Sequence, residues 1–370
     1  MDIKIPKIKF LKPKYKKNLV LDTSTFNRHN FFSNNNDYKA LCTRYEEFYF
    51  TPLIKSLFKF IIYKKKLTIL QIYILETIKW LNPKVILSFT DYNYFFLNLK
   101  NYFPEKKIII FQCTFRHQGI LNEQIKNIKI LMKKNNGKLK LDYFFIYGKK
   151  IIKYYKNFFK TKFITCGVVG NNLKTKKLKV DKNSLVIISH FTNNYDIYKI
   201  RHNKIVNTLH SISNYCKLNN LDIVIFGRMT SSDEKDEIQF YSEIFKGLKF
   251  KFYSRSSNNY KNSEKYFYFI SFTSTLGYEL ATKYKRVAFV YGSFIQKPII
   301  QNRFAYPQKL KKKGNFWTYS LKEKEIFRIL DFIRHVSNKN WKSLINKIIR
   351  PVIDFDYDNK KIKKIFREIN

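Results

Sequence analysis

Residues 266–290 constrain the fold more tightly than any other part of the chain. An apolar, strand-like run at 266–271 leads into Phe272-Thr273-Ser274-Thr275-Leu276-Gly277-Tyr278-Glu279-Leu280-Ala281, and a second apolar strand follows at Val287-Ala288-Phe289-Val290. Strand, tight turn, helix and strand in that order make the repeating unit of a parallel sheet. Such a unit sets a helix N-terminus at the sheet's carboxyl edge, where a phosphate can sit. Backbone N–H groups at the helix start and the hydroxyls of Ser274 and Thr275 can bind diphosphate oxygens, and Gly277 would let a ligand approach closely. Glu279, one turn in, can accept hydrogen bonds from ribose hydroxyls. An ordinary capped helix has a similar signature, because a Ser or Thr ahead of a Glu is also a capping pattern.

The same alternation recurs along the chain, and 370 residues suit two domains of ordinary size. In the first half, strands are expected at 18–21, 85–89, 108–111, 143–147 and 163–168, with helical stretches at 67–81, 93–102 and 123–133. A lysine-dense segment, 171–183, reads as a linker. The second half restarts with a strand at 184–189, a helix at 199–218, strands at 222–226 and 250–252, and a helix at 234–245. Terminal helices are expected at 323–336, 341–349 and 359–369. The expected fold is therefore α/β, with two Rossmann-like domains facing each other across a cleft. They comprise residues 1–170 and 184–350, followed by C-terminal helices whose last member, within 351–370, packs back on the first domain.

Composition narrows the partners. The chain carries 72 basic and 27 acidic residues, a formal charge of +45, and such a field attracts phosphates of nucleic acids, anionic lipids or nucleotide-linked substrates. The lysines are scattered in short runs (Lys64 to Lys66, Lys149-Lys150, Lys176-Lys177, Lys311 to Lys313) without a recognition stripe, zinc-finger spacing or RNP-type motif. Peripheral contact with an acidic inner membrane leaflet is thus the stronger reading and nucleic-acid binding the weaker. Cys42, Cys113, Cys166 and Cys216 are far apart, which suggests neither a disulfide framework nor a zinc site and fits a reducing cytoplasm. The first residues lack a signal-peptide pattern, and no uncharged run approaches the roughly 20 residues that span a bilayer.

In open α/β sheets the residues just beyond strand carboxyl ends face the ligand. Thr90, Asp91, Tyr92 and Asn93 follow the strand at 85–89. Gln112, Arg116 and His117 follow 108–111, Ser189, His190 and Thr192 follow 185–188, and Arg228 follows 223–226 and Gly227.

With these loops in place the chain resembles the bacterial surface carbohydrate biosynthesis family of transferases, which are similar in outline to GT-B glycosyltransferases. The resemblance is carried by residues 83–93, Phe111-Gln112 through Arg116, 142–148, Gly167-Val168-Val169, Ile187-Ile188-Ser189, 274–279, Gly314-Asn315-Phe316-Trp317 and Asp356-Tyr357-Asp358-Asn359. It departs at Cys113-Thr114-Phe115, where the family would have an Asn-Gly pair after Gln112. What it implies is a glycosyltransferase-like enzyme of surface polysaccharide biosynthesis. A nucleotide-activated sugar would be bound mainly by the second domain and a glycan or lipid-linked acceptor by the first.

Helix dipole and cationic side chains would then stabilise the diphosphate leaving group, so neither a metal nor a cofactor beyond the sugar nucleotide is expected. In that frame Arg228 neutralises the diphosphate, Glu279 holds the ribose, His190 contacts the donor phosphate or base, and Ser274, Thr275 and Gly277 complete the donor site. Asp91 and His117 compete as general base, although each can instead cap a helix or satisfy a loop. Asn93, Gln112 and Arg116 belong to the acceptor side. A non-hydrolysing nucleotide-sugar epimerase shares the helix-start motif but needs several carboxylates around the sugar. A basic scaffold or nucleic-acid-binding protein without catalysis is the alternative from another class.

Overall fold

The computed structural model describes residues 6–369 except 23–37, 42, 44–46, 63–66, 176–177, 193–194, 231, 256, 273 and 292–302, with the backbone alone for 195–203. Its strands are β1 (Lys7–Lys9), β2 (Asn18–Leu21), β3 (Tyr38–Leu41), β4 (Glu47–Tyr49), β5 (Val85–Ser88), β6 (Lys107–Phe111), β7 (Leu139–Ile146) and β8 (Phe159–Thr165) in the first half. The second half contributes β9 (Asp181–Ile188), β10 (Asp222–Phe226), β11 (Phe250–Tyr253), β12 (Tyr266–Ser271), β13 (Arg286–Val290), β14 (Lys313–Gly314) and β15 (Trp317–Thr318).

Two sheets result. The first has the order β3-β2-β5-β6-β7-β8 and the second β11-β10-β9-β12-β13-β15-β14. Every pairing in them is parallel except β14 with β15. Strands β2 and β5 are buried at every position, as a parallel sheet covered on both faces requires. The helix Ile69–Leu81 shows how local sequence sets the intervening elements. Thr68 and Gln71 close a reciprocal capping box at its start, and Asn82 ends it in the left-handed conformation just ahead of Pro83.

The α/β alternation stands as expected, with additions where the pattern is masked. β7 starts at Leu139 and β8 at Phe159, because their opening residues alternate apolar side chains with Lys140, Lys160 and Lys162. The helix Phe50–Ile62 was not expected: its apolar residues are spread over both faces, with Pro52 in its first turn. β9 begins at Asp181, inside the lysine-rich segment.

The halves are joined by two passages of chain. In the first, Gly167 has φ +65°, and a Cβ there would collide with the carbonyl of Asp354 in the second passage. Asn172 is fully buried between the two. Its Nδ2 donates to Cys166 O (2.6 Å) and to Asn359 Oδ1 (2.9 Å), while its Oδ1 accepts from Asp356 N (3.1 Å). The chain then ends in the helix Lys360–Ile369, whose Ile362, Ile365 and Phe366 pack on Val20, Val85, Leu87 and Phe111 of the first sheet.

Asn172→Ala leaves the Asp356 N–H and the Asn359 amide without their buried partner, so unfolding in urea should show a loss of about 2–3 kcal/mol with an unchanged slope. A loss within error would show that the passages do not depend on this amide.

Candidate functional site

The second sheet grows outward from β9 in both directions, to β10 and β11 on one side and to β12 and β13 on the other. Its topological switch point therefore lies between β9 and β12, and the loops leaving these strands splay apart at their carboxyl ends. A cavity of about 420 Å³ occupies this crevice, lined by Ser189, His190, Gly227, Arg228, Arg255, Asn259, Ser274 and Leu276 among others. Arg228, Arg255, Asn259, Ser274 and Leu276 also line a larger cavity of about 900 Å³, whose opposite wall is Phe89, Gln112, Cys113, Thr114, Tyr147, Val168 and Val169 from the first half. The two spaces form one cleft between the sheets.

The cationic wall is held by a carboxylate that sequence reasoning missed. Glu237, on the helix Glu234–Ile244, is fully buried. Its Oε1 and Oε2 accept from Arg228 N (3.0 Å each), its Oε2 accepts from Met229 N (2.8 Å), and Ser189 Oγ donates to its Oε1. One side chain thus ties the loop after β10 to the loop after β9. Arg255 was also missed, since it follows the short β11 in a serine-rich loop. Its guanidinium donates to Arg228 O (3.2 Å), which holds the two arginines beside each other.

At the helix Thr275–Thr282, the capping role and the wall role coincide. Ser274 Oγ accepts from Leu276 N (3.3 Å), while Ser274 and Thr275 both line the cleft. The first turn of a helix has four N–H groups with no intrahelical partner, and this cap takes one of them. Gly277 is a correction: a Cβ at this position would collide with Ser271 Oγ, so the glycine allows helix and strand to pack closely and does not face the ligand. Glu279 lies on the cleft wall, 4% exposed, and its Oε2 has no hydrogen-bond partner among the described residues. Burial raises its carboxyl from 4.5 to about 7, against the opposing pull of a hydrogen bond with Tyr260 and the charge of Lys283. His190 lines the smaller cavity with its ring against Phe272, at 5.9 Å between centroids.

The first half requires further corrections. Asp91 is 0% exposed, and its Oδ1 accepts from Arg116 Nη2 (2.6 Å) and from Cys113 N (3.1 Å). The buried pair Asp91–Arg116 shapes the loop after β6, so neither residue is presented to a ligand as base or acceptor contact. His117 is the N-cap residue of the helix Gln118–Lys134 and Asn93 caps the helix Tyr94–Leu97; neither is among the residues lining the cleft. Gln112 does line it, though its amide is engaged, donating to Thr114 O (2.9 Å) and accepting from Tyr147 N (2.9 Å). In the loop that departs from the family pattern, burial and the nearby Asp91 push the Cys113 thiol up to about 12.

Two overlapping Asp-x-Asp runs, Asp354-Phe355-Asp356 and Asp356-Tyr357-Asp358, lie in the second passage between the halves, where Asp354 pairs with Lys361 at 2.9 Å, Asp356 Oδ2 accepts from Lys361 N and Asp358 pairs with Lys363 at 2.9 Å. Among the described residues no group of three His, Cys, Asp or Glu side chains could hold a metal ion, and no helix is long and apolar enough to cross a membrane.

A family model described as "putative O-antigen biosynthesis protein" matches residues 112–370. No curated protein matches the sequence. Among solved structures, UDP-GlcNAc 2-epimerase from Methanocaldococcus jannaschii aligns at 10% identity over 95% of this chain and 99% of its own, with a TM-score of 0.54. A glycosyltransferase from Rickettsia africae aligns at 11% identity over 96% and 99%, with a TM-score of 0.50. The pneumococcal O-GlcNAc transferase GtfA, solved with UDP and GlcNAc, aligns at 12% identity over 81% of this chain, with a TM-score of 0.44. This chain spans 60% of GtfA's length. At these identities the likeness is one of fold, two Rossmann-like halves around a cleft.

Two outcomes test this geometry. The folded protein keeps a proton on Glu279 that the unfolded chain releases above pH 4.5, so the contribution of this group to stability is greatest below that pH and falls as pH rises to about 7. Glu279→Gln should remove on the order of 3 kcal/mol of that fall, read from urea unfolding at acid and mildly alkaline pH; parallel curves would place the proton elsewhere. Glu237→Ala strips partners from two backbone N–H groups and a hydroxyl, and should lower stability by about 3 kcal/mol or more in the same measurement.

Proposed function

Because the chain belongs to the O-antigen biosynthesis family that its residues 112–370 match, we propose that it transfers a sugar or related group from a nucleotide-activated donor to a surface-glycan precursor. The observation that carries this reading is the cleft. A helix start and two arginines, Arg228 and Arg255, line a cavity at the switch point of the second sheet, and a carboxyl with an unpaired oxygen, Glu279, stands on the adjoining wall. In this reading the donor diphosphate lies between Ser274, Thr275 and the two guanidiniums, which neutralise the charge that develops as the sugar–phosphate bond breaks. Ribose hydroxyls donate to Glu279, and His190 meets the phosphate or base from the β9 side.

The acceptor enters against Gln112, Cys113 and Thr114 on the first half, as a glycan or a lipid-linked precursor. Its hydroxyl oxygen bonds to the anomeric carbon while the nucleotide diphosphate departs, and the hydroxyl proton passes to a base. No cofactor beyond the donor is proposed.

An epimerase would use the same donor cavity but requires several carboxylates around the sugar. Glu279 is the only carboxylate among the described lining residues of the two spaces, since Asp91 is sequestered by Arg116, and this favours the transferase.

Thermal-shift measurements against UDP, GDP, CDP, CMP and their sugar conjugates test the donor site, with UDP conjugates first because the M. jannaschii neighbour is named for one. A nucleotide at about 100 times its Kd should stabilise the protein by about 2.7 kcal/mol. Arg228→Ala, Arg255→Ala and Glu279→Ala should each abolish the shift. Stabilisation by polyanions of every kind, with none selective for a nucleotide, would sink the reading in favour of a basic scaffold. Conversion of the bound donor to an epimer without any acceptor would turn it to the epimerase.

A further inference from the structure

The helix Phe50–Ile62 is turned the wrong way for a part of a water-exposed domain. Its buried positions are Pro52 and Ser56, while Leu57, Phe58, Ile61 and Ile62, which share one face by their spacing, point to solvent, with Phe58 68% and Ile62 77% exposed. The strand β1 leads to two more exposed apolar residues, Phe10 and the 85%-exposed Leu11. They belong to the same surface, because β1 pairs with β4 immediately before the helix and the Phe10 ring lies 5.1 Å from that of Phe50. Among the described residues, ten of the nineteen exposed large hydrophobic residues fall within residues 8–62, so this is a concentration and not the scatter any surface shows.

The charge around this patch is of one sign. Lys7, Lys12, Lys14 and Lys55 are exposed beside it, and the one acidic residue among the described positions of 6–17 and 47–62, Glu47, is paired with Lys9. Apolar side chains interleaved with lysines match the layered chemistry of an anionic bilayer, with acyl chains beneath a negative headgroup plane. A second copy of this chain would bring the same lysines face to face, on a protein already at +45, and so is a poor occupant.

We propose that this face, formed by the end of β1 and the outer side of the helix Phe50–Ile62, docks the protein on an anionic lipid surface. The inference does not rest on the reaction assigned to the cleft.

Co-sedimentation of the full chain with lipid vesicles tests it. The protein should pellet with phosphatidylcholine vesicles containing phosphatidylglycerol, remain in solution with phosphatidylcholine alone, and release as salt is raised. The triple substitution Phe58→Ser, Ile61→Ser, Ile62→Ser removes only exposed side chains; it should melt at the wild-type temperature and lose binding at least about tenfold. If the triple variant pellets as well as wild type, the patch is not the contact and diffuse charge is. If wild type ignores the vesicles but sediments as a dimer that the triple variant dissociates, a second copy covers the face and the lipid proposal is wrong.

Discussion

A single buried amide, that of Asn172, sits where the two halves of the molecule are held in register. The chain passes from the first sheet to the second near Gly167–Asn172 and returns near Asp354–Asn359, and the Asn172 side chain bonds to both passages. Its neighbour Asn171 extends the junction into the second half by donating to Glu279 O (3.0 Å) and Thr282 Oγ1 (3.2 Å). The cleft wall that carries Glu279 is thereby fastened to the same point about which the halves meet. A buried polar cluster of this kind is stable because nearly every donor and acceptor finds a partner at low local dielectric, and for the same reason it permits few alternative arrangements.

Three buried carboxylates show how surroundings assign roles to one chemical group. Glu237 is satisfied by backbone N–H groups and a serine hydroxyl, so it acts as a brace for the loops after β9 and β10. Asp91 is neutralised by Arg116 and shapes the loop after β6. Asp91 Oδ2 and Glu279 Oε2 both lack a hydrogen-bond partner among the described residues, but of the three only Glu279 lines the cleft, and burial holds its proton on to about pH 7. An incompletely satisfied carboxyl is a burden to the empty protein that a ligand's hydroxyl groups can relieve.

The exposed apolar face of the helix Phe50–Ile62 and the cleft wall of Gln112, Cys113 and Thr114 both belong to the first half. The cavity lined by Arg228, Arg255 and Ser274 belongs to the second half.

The βαβ order, the two-sheet architecture and the switch-point loops were legible in the sequence, because parallel strands buried on both faces appear as short apolar runs and the turns after them as polar residues. Arg228, His190, Ser274, Thr275 and Glu279 were found that way and meet in one cleft. Position after a strand, however, says only that a residue lies at the correct edge. Whether Asp91 faces a ligand or an arginine depends on Arg116, 25 positions further on, and whether Glu237 is exposed or bracing depends on two loops that converge on it from β9 and β10. Strands interrupted by lysines, such as β8, were obscured because their alternating faces look like surface. The helix Phe50–Ile62 was obscured because apolar residues on both faces give no clue to which side turns inward. Local sequence thus determined the elements and their order, through periodicities that act over a few residues. Tertiary structure decided which polar groups are paired and which apolar face is left uncovered, because those are properties of neighbours brought together from distant parts of the chain.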